Sequence, residues 1–181
     1  MKTMFKTMKK NKIPQKKLDV FERIIQKYEG QNNECEIKFM EAMEKELTKE
    51  QRFQIFRENG GCKGTGYDKE RKAFALEHAN KDIAKRLEFF VKTFGKKAVL
   101  NNDKTITVTF KCTHGYYKRV REGKIDSLPL TILSYFERCA GGRLYEYEKA
   151  LGIKLRIKSV DITPLNENIV NPVIFIFEIM E

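Results

Sequence analysis

The chain has 181 residues, 41% of them apolar, with four cysteines, no tryptophan and a formal charge of +11. That length suits one domain with an ordinary core, and the apolar share excludes a chain disordered throughout. No run approaches the ~18 apolar residues of a membrane span, and the lysine-rich start lacks the apolar stretch of a secretory leader, so a cytoplasmic protein with reduced thiols is expected rather than a disulfide scaffold.

The charge is unevenly spread. Lys2, Lys6, Lys9, Lys10, Lys12, Lys16 and Lys17 fall in residues 1–17 with no acid among them, and taking those seven from +11 leaves +4 for the rest. Residues 1–17 are therefore expected to form a basic mobile arm. Such an arm binds polyanions weakly and non-specifically at best, so nucleic acid is the least favoured partner. Residues 18–181 read as a single α+β domain, helical over 18–95 and sheet-containing over 96–181.

Pro14 opens a helical pattern with Leu18, Phe21, Ile24, Ile25 and Tyr28 on one face, stopped by Gly30. A second helix from about Glu34 to Leu47 carries Ile37, Met40, Met43 and Leu47 as a stripe. Thr48 and Gln51 have capping-box spacing and start a third, with Phe53 and Phe56, ending at Asn59-Gly60-Gly61. Such stripes are core packing. The Gly-rich run through Cys62 to Tyr67 lacks the Gly-Lys-Ser/Thr ending of a phosphate loop and reads as a turn.

Asp68 to Asn80 reads as a charged helix with Phe74 and Leu76, and with His78 as a surface residue. Ile83, Leu87, Phe90, Val91 and Phe94 form the clearest amphipathic helix, closed by Gly95. Ala98–Leu100 and Thr105–Lys111 then read as a hairpin around Asn101–Lys104. Alternation puts Ile106, Val108 and Phe110 on one face, and continuing the count puts Cys112 and His114 there too. After a basic stretch through Lys124, Ser127 and Pro129 mark a helix start. Ile132, Leu133, Phe136 and Cys139 share its face, and Gly141-Gly142 are expected to break it before a short helix from Arg143 to Leu151. Two strands close the chain, Ile153–Lys158 and Val173–Ile179. The last is apolar on both sides, as a central or covered strand is. The fold expected is an N-terminal helical layer packed on a mostly antiparallel four-stranded sheet, in the order β-β-α-α-β-β.

Three thiols, Cys62, Cys112 and Cys139, sit where regular elements meet glycines or tight turns, and His114 lies two residues from Cys112. Cys and His are ligands that suit zinc or another transition metal, so Cys62, Cys112, His114 and Cys139 form a candidate metal set. The bland reading is that these are small apolar core residues, as Cys35 is taken to be. The same groups fit a second chemistry, in which Cys112 or Cys139 is a nucleophile and His114 its base, with Arg138 and Arg143 lowering the thiol pKa.

The arrangement Gly-Gly-Cys62, Cys112-Thr-His114, Tyr135-Phe-Glu-Arg-Cys139-Ala-Gly-Gly-Arg143 and Tyr147 through Gly152, followed by two strands, resembles a group of small uncharacterised bacterial proteins. More distantly, it is similar to aminothiazoline-carboxylate hydrolase-like proteins and to the ligand-binding 4-vinyl reductase domain. The likeness covers roughly residues 55–181 and implies a pocket for a small ligand or metal, leaving the activity open. Those relatives often carry a cysteine before the last strand. Here that stretch is Asn168-Ile-Val-Asn-Pro172-Val173, so no role passes to it.

The expectation is a Cys/His-lined site for a small molecule or a zinc-like metal, with Tyr116, Tyr117 and Arg143 as ligand-binding outer wall and positive charge favouring an anion. A thiol-dependent hydrolase of a small anionic substrate and a weak nucleic-acid binder are the alternatives. Oligomeric state is left open.

Overall fold

The computed structural model describes residues 1–60, 65–111, 131–163 and 172–180, with the side chains of 65–67 excepted. In chain order these form α1 (Lys2–Lys10), α2 (Gln15–Lys27), α3 (Asn32–Glu46), α4 (Lys49–Asn59), α5 (Thr65–Glu77) and α6 (Ile83–Phe94). There follow β1 (Ala98–Leu100), β2 (Thr105–Phe110), α7 (Ile132–Leu151), β3 (Lys154–Asp161) and β4 (Val173–Met180). The architecture is the α+β arrangement expected, with helices leading an antiparallel sheet of order β1-β2-β4-β3.

The sheet register follows from alternation. Phe177 stands between Ile106 on β2 and Ile157 on β3, and Phe175 opposes Val108. These side chains share the buried face, and β4 lies inside the sheet, as its two apolar sides require. A register shift between Ile157 and Ser159 moves the end of β3 out of that alternation.

Helix α7 is the spine. Phe136, Ala140, Leu144, Tyr147 and Leu151, at spacings of three and four, are fully buried against the sheet and α6. Thr131 caps it, accepting a hydrogen bond from the Ser134 N–H at 3.1 Å, and Glu44 of α3 accepts from the Ser134 hydroxyl at 2.6 Å. Glu44 thus supplies the negative charge that α7's own first turn lacks. At the other end Gly152 takes the left-handed conformation that closes a helix, φ 65°. The cap of α7 is Thr131; Ser127 and Pro129, read as a helix start, lie outside the described residues.

The expected break at Gly141-Gly142 does not occur: α7 runs through both. Their purpose is contact. A Cβ on Gly141 would overlap the carbonyl of Phe56, and one on Gly60 would overlap the backbone at Gly141 and Gly142. Two glycines inside a helix cost about 1 kcal/mol each in propensity, and here that cost is offset by a backbone-to-backbone approach of α4 to α7. Arg52 of α4 completes the contact with a two-pronged ion pair to Glu137, both bonds 2.8 Å, with Glu137 1% exposed.

A second apolar cluster lies among α1 to α4, around Phe21, Phe39, Met40, Met43, Ile55 and Phe56. It corrects the reading of residues 1–17 as an arm. Met4, Phe5 and Met8 recur at helical spacing between the lysines and are buried, Met8 completely, with Ile13 behind them. Three of the lysines meet acids elsewhere in the helical layer: Lys2 with Glu29 in the turn after α2, Lys9 with Glu22 of α2 and Lys10 with Glu58 of α4. The capping box at Thr48 and Gln51 is present as expected. Helix α5 starts at Thr65, inside the expected turn. His78, expected at the surface, is half-buried, its ring stacking on Phe89 at 4.9 Å and leaning on Phe74 at 4.4 Å.

Candidate functional site

The residues that converge do so at the end of β2, around Glu146 of α7. Glu146 interrupts an otherwise apolar stretch between Leu144 and Tyr147, so helix geometry turns its carboxylate inward, and it is 6% exposed. Arg143, three residues earlier, lies on the same side and donates from Nη1 to Oε2 at 2.6 Å. Arg71 reaches in from α5, donating to Oε1 through Nε at 3.1 Å and Nη2 at 2.5 Å. Lys96 arrives by a different route. The left-handed Gly95 turns the chain out of α6 and the Lys96 ammonium reaches Oε1 at 3.1 Å.

Aromatic rings wall this cluster. The Arg71 guanidinium lies 3.5 Å from the Phe94 ring centre and 5.5 Å from that of Phe90. Arg143 stands 5.6 Å from the ring centre of Phe110, the last residue of β2. The rings exclude water and lower the local polarity, which strengthens each charge interaction.

Burial alone would raise the Glu146 pKa, but Arg143, Lys96 and Arg71 together outweigh it and hold the carboxyl below its ordinary 4.5. Lys96 goes the other way: loss of water is its largest influence and pulls it below 10.5, with Arg143 and Arg71 adding repulsion that Glu146 does not cancel. Glu146 is the sole carboxylate within salt-bridge reach of both Lys96 and Arg143 among the described residues. Two cations therefore share one anion before Arg71 is counted. Their side chains are 22% and 15% exposed, so both keep an opening to solvent.

Behind the cluster, Tyr147 is fully buried and its hydroxyl has no hydrogen-bond partner. Its ring packs edge-on against Phe90 at 4.8 Å and Phe177 at 6.0 Å. Burial pushes the phenol pKa well up, so it stays a neutral donor.

Of the residues singled out from the sequence, Cys139 and Arg143 are in view. Cys139 is buried on α7, four residues before Arg143 and seven before Glu146, hence on the same stripe, about 6 Å along the axis from Arg143. Cys62, Cys112, His114, Tyr116 and Tyr117 lie outside the described residues. Among the described residues no three His, Cys, Asp or Glu side chains group as a metal would need, and no helix is long and apolar enough to cross a membrane. Cys35 is buried in α3.

Arg71, Lys96 and Glu146 carry no motif, and Tyr147 entered only as the start of the Tyr147–Gly152 stretch. The one signal in the sequence was a glutamate set within an apolar helical run and three residues from an arginine. Compared with protein-family models, curated proteins and solved structures, the chain matches none.

Proposed function

We propose that this chain is a small-ligand binding protein whose ligand is an anion, held by Arg143 and Lys96 beside Glu146 at the end of β2. The observation that carries the reading is the charge count: two partly buried cations with one carboxylate between them, walled by aromatic rings. A network that served stability alone would gain by matching charges, because each desolvated ammonium or guanidinium is costly without a counter-charge. An entering anion supplies that counter-charge. Cys139, one helical turn from Arg143, places a thiol near the same rim.

The test is thermal unfolding with phosphate, succinate and citrate against sodium chloride at matched ionic strength. A ligand at about 100 times its Kd adds about 2.7 kcal/mol, roughly 5–10 °C for a chain of this size. At least one anion raises Tm beyond the chloride control, and Arg143→Gln removes that rise. If no anion exceeds chloride, or if the rise survives in Arg143→Gln, the reading is wrong.

A further inference from the structure

We infer that the outer edge of β3 takes up an extended acidic peptide of another protein as a further strand, in the cleft between that edge and α4. The cleft shares no residue with the anion site. The sheet ends at β3, which among the described residues pairs with β4 alone. Leu155 shows which backbone groups face outward, for its N–H turns away from β4 and donates to Glu148 Oε1 at 2.8 Å. Backbone direction alternates along a strand, so Ile157 presents its N–H and carbonyl the same way. No backbone group of a described residue meets them there. The opposite edge, β1, is only three residues long.

Helix α4 turns this edge into a groove. Glu50, Phe53 and Gln54, three and four residues apart, face β3 across a cleft of about 410 Å³, and Arg156, Ile157 and Lys158 bound its other side. Phe53 and Ile157 are buried and make an apolar floor, while Arg156 and Lys158 are exposed. A row of unpaired N–H and C=O groups is matched by another peptide main chain, and an apolar floor beside it receives every second side chain.

Charge names the occupant. A new strand on this edge stands opposite the outward side chains of β3, and Lys154, Arg156 and Lys158 are exposed cations. Arg156 meets Glu178 of β4, and Lys158 meets Asp103 at 3.3 Å, exposed pairs that contribute little and exchange partners readily. Glu50, the one acid that α4 brings to the cleft, lies in that helix's first turn, where the helix dipole offsets it. A second copy of β3 fits poorly: laid antiparallel about Arg156 or Ile157, it sets these cations against one another. The register shift after Ile157 also bends the strand away from such a partner. Acidic side chains at alternate positions, with apolar ones between them for the floor, are the match.

Fluorescence anisotropy with labelled Glu-Val-Glu-Val-Glu-Val, blocked at both ends and titrated with the full chain at constant ionic strength, tests this. The peptide binds saturably, and its Lys-Val counterpart binds at least roughly 10-fold more weakly because like charges then face across the strands. In an antiparallel addition the valine N–H groups point to β3 and the glutamate N–H groups point to solvent. Methylating the valine nitrogens therefore weakens binding by roughly 10-fold, and methylating the glutamate nitrogens changes it by less than about 3-fold. Lys154→Glu with Lys158→Glu, two exposed positions that leave the core intact, removes binding of the acidic peptide and lets the Lys-Val peptide bind. No saturable binding of the acidic peptide, equal weakening by both methylations, or binding unchanged in the double variant overturns the inference. So does self-association that the double variant abolishes, which gives the edge to a second copy. Each of these results leaves the anion reading, which rests on Arg143 and Lys96, untouched.

Discussion

Gly60 and Gly141 meet backbone to backbone, so closely that a Cβ on Gly60 would overlap the main chain of Gly141 and one on Gly141 would overlap the carbonyl of Phe56, a turn before Gly60. That contact fixes the distance between α4 and α7, and with it the line along which Glu137, Cys139, Arg143 and Glu146 are presented. Propensity and packing make opposite predictions here. In an isolated helix Gly141→Ala stabilises by about 1 kcal/mol. In this protein it destabilises by about 3 kcal/mol, because the carbonyl of Phe56 has no room to retreat. Urea unfolding reads the sign directly.

The Arg52–Glu137 pair locks the same two helices. Glu137→Gln strands a desolvated guanidinium and costs about 3 kcal/mol. Replacing both partners, Arg52→Met with Glu137→Leu, costs less than the two single changes together. A double-mutant cycle by chemical denaturation returns a coupling of about 2 kcal/mol.

Helix α1 contributes to the core. Met8→Ala empties a fully buried site among α1 to α4 and lowers stability by about 3 kcal/mol. Lys6→Ala, on an exposed position of the same helix, changes it by less than about 0.5 kcal/mol. Thermal or urea unfolding of the two variants side by side separates a packed helix from a solvated arm.

The site has its own pH signature. Glu146 titrates below its ordinary 4.5 in the folded chain, so its stabilising contribution is complete above that value and is lost as pH falls through the folded pKa. Glu146→Gln therefore costs about 3 kcal/mol at neutral pH, and less as the solution is acidified. Lys96 is depressed below 10.5 chiefly by loss of water, so the folded chain holds its proton less readily than the unfolded one. Stability then gains as pH rises through that interval, while anion affinity falls. Lys96→Met leaves neutral-pH stability unchanged or raises it by about 1 kcal/mol, and abolishes anion binding. Stability curves and titrations from pH 3 to pH 10 distinguish these effects.

Much of the sheet was readable from alternation, because a residue's side of a strand is fixed by a period of two. The hairpin of β1 and β2, and β4 as an inner strand, follow from it. Helix α7 was misread at Gly141-Gly142 because glycine's cost in a helix is local, while its use here depends on Phe56, more than eighty residues away. In α1 the density of lysines hid Met4, Phe5 and Met8, whose spacing was helical all along. Arg143 stood out in the sequence from its neighbourhood, and the structure places it against Glu146. The convergence of Arg71, Lys96 and Glu146 was not legible, since nothing in a linear pattern says that α5, the turn after α6 and α7 meet.

The central claim is that Arg143 and Lys96 hold the anion, and side-chain nitrogen resonances report on them most directly. With arginine and lysine labelled in the full chain, phosphate is titrated at constant ionic strength. The Arg143 and Lys96 signals move together along one saturable curve, while exposed lysines such as Lys6 and Lys154 do not move. Shifts that never saturate, or that spread equally over the exposed lysines, contradict it.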